Sequence, residues 1–209
     1  MTDTEMKTKR PYAPRVPLEQ RRSQIIEAAL AEYLEHGFEG ARVDAIAEAI
    51  GVSKPVLYSA FDSKEAIAAA VVEEAHRREA VLNLEADGFA AYSRLGEGEV
   101  TPVYEVIFAI ATENKDLCRF IYSDYRGAPP EALAVYDQIF AMRTEGIQFY
   151  LSQCFAGRED SDEVSSVGAE IVSTVGRRGI LAVATGQTED SKRLASVYGG
   201  LVEREFASY

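Results

Sequence analysis

Residues Arg42–Lys64 read RVDAIAEAIGVSKPVLYSAFDSK, and this stretch decides the fold. Val43, Ile46, Ala47 and Ile50 recur at helical spacing, which gives the first half one apolar face. Gly51 follows, a residue that accepts the left-handed backbone of a sharp helix stop. Ser53 stands at an N-cap position, and Pro55 sits in the first turn of the next helix, where a missing N–H costs nothing. Val56, Leu57, Ala60 and Phe61 supply that helix's apolar side, and Asp62-Ser63-Lys64-Glu65 ends it and caps another. Two short helices across a glycine-containing turn make a helix-turn-helix, whose second helix suits the DNA major groove.

Ile46–Ile67, IAEAIGVSKPVLYSAFDSKEAI, resembles the signature of TetR/AcrR-type transcriptional repressors, roughly I-A-x-x-x-G-V-S-x-x-x-L-Y-x-x-F-x-S-K-E-x-L. The matching residues are Ile46, Ala47, Gly51, Val52, Ser53, Leu57, Tyr58, Phe61, Ser63, Lys64 and Glu65, with Ile67 at the last position. His36-Gly37-Phe38 extends the likeness back to about Arg21. The resemblance implies a dimeric DNA-binding regulator released by a small-molecule inducer, with Tyr58 and Lys64 at phosphate-clamping positions. Two residues depart from the pattern. Ala60 stands where a histidine or tyrosine is usual, and Arg42 replaces a capping threonine or serine. Arginine cannot cap by accepting an N–H, but it can reach a phosphate.

The formal charge of −12 is unusual for a protein that meets DNA, so its distribution matters. Residues 1–65 sum to −2 and residues 66–209 to −10. Within the first 22 residues Lys7, Lys9, Arg10, Arg15, Arg21 and Arg22 outnumber Asp3, Glu5 and Glu19, a basic footprint ahead of the motif. Hydrophobic residues at 47% and charged ones at 27% describe an ordinary globular chain. No apolar run approaches the ~18 residues of a membrane span, and no apolar segment follows the basic N-terminus. Cys118 and Cys154 match no zinc spacing. A cytoplasmic protein with reduced thiols is expected.

The pattern divides the chain into a mobile basic arm (1–17), a helix-turn-helix domain (18–64) and a ligand-binding and dimerisation domain (65–209). Ile25, Ile26, Ala29, Leu30, Tyr33 and Leu34 stripe the supporting first helix. A long helix runs from Ser63 towards Leu84; Gly88, Gly96 and Gly98 then mark a loop. Helices follow from about Pro102, from Leu117 to a stop at Gly127, from Pro130 to near Gly157, from Asp162 and from Glu189. With no β pattern, the expectation is all-α with about nine helices.

Arg42, Ser53, Lys54, Pro55, Val56, Tyr58, Ser59 and Lys64 are the candidate DNA contacts, while Leu57 and Phe61 read as core. Lys54 suits a phosphate or a guanine; Pro55 and Val56 suit thymine methyls. The aromatics Tyr104, Phe108, Phe120, Tyr122, Tyr125, Tyr136 and Phe140 suit an apolar or aromatic ligand, and also an ordinary core. Arg143, Arg119 or Arg126 would hold an acidic group. Val167, Ile171 and Val175 stripe one of the last two helices, and Leu194, Val197 and Leu201 the other. Gly168, Gly176, Gly179, Gly199 and Gly200 would let two such pairs pack closely about a two-fold axis. That dimer calls for half-sites ~34–36 Å apart. The rival readings are a helical scaffold without DNA binding and a metal enzyme built on Glu73-x-x-His76. A di-iron bundle needs two such motifs, and the other histidine, His36, has Tyr33 three before it. No cofactor is expected.

Overall fold

The computed structural model describes residues 16–123 and 125–207. The arm expected at 1–17 lies outside them apart from Val16 and Pro17. Among the described residues there are ten α-helices and one 3-10 turn, with no strand. The head comprises α1 (Leu18–Gly40), α2 (Val43–Ala49) and α3 (Lys54–Tyr58), followed by the long α4 (Lys64–Glu85). The body continues with α5 (Gly88–Ser93), a 3-10 turn at Arg94–Glu97, α6 (Thr101–Glu113), α7 (Lys115–Tyr122), α8 (Pro130–Cys154), α9 (Ser161–Ala184) and α10 (Ser191–Phe206). The tenth helix is α5, which occupies the expected loop. Its glycine-rich stretch is pinned by Ala91 and Leu95, both buried, and by Gly88, where an added Cβ would meet the Asn83 carbonyl oxygen at 2.5 Å.

The head folds as its periodicity dictates. Ile25, Ala29, Leu30 and Tyr33 of α1, Ile46 and Ala47 of α2, Leu57 of α3 and Phe61 close one core. Gly51 takes φ +66 in the turn between α2 and α3. Ser63 caps α4 by accepting from the Ala66 N–H at 3.0 Å, whereas the Ser53 hydroxyl makes no cap bond. Lys64 Nζ donates to the Ala41 carbonyl at 2.8 Å, tying the start of α4 to the end of α1. Arg22 adds a second brace: its guanidinium lies 4.1 Å over the Phe61 ring and donates to the Ala60 carbonyl.

In the body, α6 is the central element, with Val103, Tyr104, Ile107, Phe108, Ile110 and Ala111 buried. It has no side-chain cap of its own; Glu203 Oε1 of α10 accepts from the N–H groups of Val100 and Thr101, both at 2.7 Å. A carboxylate there also meets the positive end of the α6 dipole. Four of the five glycines on the last two helices pack against this core, whereas an added Cβ on Gly200 would meet only Arg204 Nη1 at 3.9 Å. Gly176 faces Tyr104, Gly179 faces Phe108, Gly199 backs onto Thr101, and Gly168 meets Leu151 and Phe206. A Cβ on Gly199 would sit 2.6 Å from the Thr101 Cα, a backbone atom that cannot swing aside. Gly199→Ala should therefore lower stability by about 1–3 kcal/mol. Gly146→Ala on α8, with nothing within 4 Å of the new Cβ, should raise it by up to about 1 kcal/mol. Denaturant midpoints of the two variants against the parent chain check both signs.

Candidate functional site

The outer flank of α3 is open. Ser53, Lys54, Pro55, Val56, Tyr58 and Ser59 are exposed, while Leu57 between them is fully buried. Val56 at 38% and Tyr58 at 41% are large apolar surfaces left in water, a costly arrangement for a face with nothing to meet. Lys54 is paired with Asp44 of α2 at 2.9 Å, but both side chains are about half exposed, so the pair contributes little and its cation is exchangeable. Arg42 is exposed at the start of α2, where its backbone N–H donates to Glu32. Lys64 differs from the other candidates: one of its three N–H groups already serves the Ala41 carbonyl. Arg21 and Arg22, counted with the basic arm, belong to α1, where Arg21 bonds Gln24 and Arg22 braces Phe61.

A row of rings connects this head with the body. Gly37, at φ +67, kinks the end of α1 and turns Phe38 against Tyr33 (ring centroids 5.1 Å) and against Phe120 and Tyr125 (5.5 and 5.2 Å). Tyr125 then meets Tyr136 at 4.5 Å, Tyr136 meets Phe140 at 4.4 Å, and Phe140 meets Tyr122 edge-on at 5.8 Å. Beyond lies a hollow of about 50 Å³ between α6, α7, α8 and α9. Of the expected ligand contacts, Tyr104, Tyr122, Phe140 and Arg143 line it. Phe108 stacks on Tyr104 but is sealed in the core, and Phe120, Tyr125 and Tyr136 belong to the row. Arg119 and Arg126 are exposed and border a separate cleft beside Phe38.

The polar centre is a triad that periodicity missed. Glu79 of α4 accepts from the Tyr122 hydroxyl and from Arg143, which also donates to the Tyr122 oxygen at 2.8 Å. Burial and the adjoining carboxylate raise the Tyr122 pKa well above its ordinary range. Burial opposes the charge on Arg143, but Tyr122 and Glu79 outweigh it and the group stays cationic. Burial also pushes the nearby Cys118 thiol up to about 12, which makes it unreactive. The signal for Glu79 was present: Val72, Ala75, His76 and Glu79 share one stripe, and a carboxylate on an otherwise buried stripe demands a partner. Glu73 is exposed while His76 is buried, so the Glu-x-x-His spacing does not converge on one site.

The fold and the open face of α3 define an all-α protein with a helix-turn-helix head. Residues 25–71 match the family profile described as bacterial regulatory proteins, tetR family. The transcriptional activator FasR of Mycolicibacterium smegmatis is 42% identical over 59 residues, 28% of this chain and 27% of that protein. The transcriptional repressor AcnR of Corynebacterium diphtheriae is 34% identical over 64 residues, 31% of this chain and 34% of that protein. These matches span about a third or less of the curated relatives' own length. A TetR-like regulator from Rhodococcus superposes with a TM-score of 0.67 at 21% identity, covering 93% of this chain and all of that one. Bacillus subtilis FadR, solved with stearoyl-CoA, superposes at 0.64 and 17% identity over 86% of this chain and 96% of its own. The head, over residues 25–71, is thus similar to the DNA-binding part of tetR-family regulatory proteins, and the chain shares its fold with these solved regulators.

His76 tests the tightness of the body. It is buried against Phe140 and Tyr136, and neither ring nitrogen has a hydrogen-bond partner. Burial, helped by Arg143, pushes its pKa from 6.5 down to about 3. The unfolded chain therefore binds the proton first, so His76 removes stability as pH falls from 6.5 towards about 3. His76→Leu should flatten the loss of stability between about pH 7 and about pH 5, read from urea midpoints.

Proposed function

We propose that this chain is a homodimeric, ligand-responsive regulator of transcription that binds a roughly palindromic DNA operator and is not an enzyme. The exposed outer flank of α3 carries the reading: polar and apolar side chains reach outward from a short rod whose inner side is locked by Leu57. Arg42, Ser53, Lys54, Tyr58 and Ser59 take phosphates and base edges, and Pro55 and Val56 meet thymine methyls. Lys64 contributes first by holding α4 to the head and second through its remaining N–H groups. Domain limits near residues 18–64 and 65–209 follow, with α4 as the shared strut.

Dimerisation is supported by unpartnered apolar surface on the last two helices. Val167, Val197 and Leu201 are 51, 49 and 55% exposed, and Ile171, Val175 and Leu194 lie half-buried beside them. A stripe of this kind on two adjacent helices suits a two-fold four-helix bundle. The body supplies the sensor: the hollow behind Tyr122 and Arg143 reaches the head through the ring row, and a fold neighbour holds stearoyl-CoA. Effector binding changes the separation of the two heads, and both half-sites are then no longer engaged together. Repression is the preferred sign of regulation. With no helix among the described residues long and apolar enough to cross a membrane, action in the cytoplasm is the natural setting.

Gel shifts against the DNA upstream of the chain's own coding sequence provide the test. A specific shift that weakens steeply with salt is expected; an absent or salt-insensitive shift favours the scaffold reading. Tyr58→Ala should weaken the shift by about 1–3 kcal/mol with an unchanged melting midpoint. Lys64→Ala should weaken it and also destabilise the head, because it removes the bond to Ala41. Val197→Glu with Leu201→Glu should yield a monomer by sedimentation and abolish the shift.

A further inference from the structure

Two hollows in the body share a wall made of Tyr92, Arg143 and Ile147. The inner one, about 50 Å³, has room for about four water-sized groups at the ~10–15 Å³ each requires. Its polar lining includes Arg143, Arg177, Tyr122 and Ser173, and no carboxylate. The outer one, about 390 Å³, is an apolar groove between α4, α5 and α8, bordered by Leu84, Phe89 and Tyr150. Leu84 and Phe89 are 70 and 72% exposed, a large apolar surface beside a guanidinium.

Donor and acceptor inventories separate the possible occupants. Both Glu79 oxygens are already engaged, by Tyr122 and Arg143. Arg143 directs Nη1 to Tyr122 and Nη2 to Glu79, which leaves three of its five N–H groups without an acceptor among the described residues. Arg177 presents a second guanidinium to the same hollow, held by a 3.3 Å bond to the Tyr122 carbonyl and lying 5.7 Å from the Tyr136 and Phe140 rings. The inner hollow is thus short of acceptors, while the outer groove holds Glu79, whose oxygens are engaged, and Asn83, whose Oδ1 accepts no bond among the described residues. The inner volume fits a group of three or four heavy atoms, and the outer volume fits a chain.

We propose that the effector is an organic carboxylate with an apolar tail, its carboxylate in the inner hollow at Arg143 and its tail in the groove over Leu84 and Phe89. This deepens the reading of the body as effector-binding half and rests on it. Because Arg143 also holds Glu79, the incoming carboxylate competes for the cation that pins α4, the helix leading into the head. A neutral alcohol lacks the charge, an amine meets two like charges, and a coenzyme A thioester has no free carboxylate for the inner hollow.

Isothermal titration of the DNA-free protein with decanoate, decanol, decylamine and decanoyl-CoA tests the proposal. Decanoate should bind roughly tenfold or more tightly than each of the others. Glu79→Leu with Arg143→Met removes the buried pair together, leaves no stranded charge, and should abolish the preference. Leu84→Asp with Phe89→Asp alters only exposed positions, so folding is kept, and should weaken decanoate by roughly tenfold. Equal affinity for decanol, tighter binding of decanoyl-CoA, or undiminished decanoate binding in the Asp variant overturns the proposal. Any of these with an intact operator shift leaves the DNA-binding reading standing; loss of the shift alone leaves the ligand assignment standing.

Discussion

A charge inside a helical body survives only with a partner, and Glu79 has Arg143 and Tyr122. The three groups come from α4, α7 and α8, so one small cluster fixes the mutual position of three helices. Removing either charge alone would strand the other, at a cost of about 3–5 kcal/mol. The cluster also sits near the far end of α4, a rod of roughly 33 Å for its 22 residues. The near end is held by Lys64 on the Ala41 carbonyl and by Ser63 as cap. A rod secured at both ends transmits a displacement that a frayed one would absorb.

Contacts alongside this rod are of a different kind. Glu27 pairs with Arg78, and Glu74 with Arg77 and Arg78; these pairs hold the Glu74 carboxyl down at about 2. They lie towards solvent and are screened by salt. The ring row from Tyr33 to Tyr122 is apolar, and salt leaves it intact. The head is therefore joined to α4 by one screened ion pair, Glu27–Arg78, and to the body by a dispersion seam of rings.

The head was almost wholly legible in the chain, because every local rule agreed there. Gly51 at the turn, Pro55 in the first turn of α3, and the stripes of α1 to α3 all point to one arrangement. The body was legible as helices and not as a site. Aromatic spacing cannot tell a core ring from a lining ring, so Phe108 and Tyr104 read alike although only Tyr104 reaches the hollow. Arg177 and Tyr92 were missed because their partners are distant in sequence. Gly168, Gly176, Gly179 and Gly199 teach the same lesson by packing on rings and backbone inside the chain: small residues announce a close approach but do not name what approaches. The five-residue span of α3 also ends earlier than its apolar stripe suggests, with a turn carrying Ala60 and Phe61 into the core.

The cap on α6 has a temporal meaning. The carboxylate that satisfies Val100 and Thr101 belongs to a residue 103 positions further along, in the last helix. During synthesis the head is complete long before that acid emerges from the ribosome, and its contacts are local enough to form at once. The body's central helix stays open at its leading end until α10 has been made. Maturation thus runs from the nucleic-acid end to the sensing end, and the two halves mature at different times although they act together.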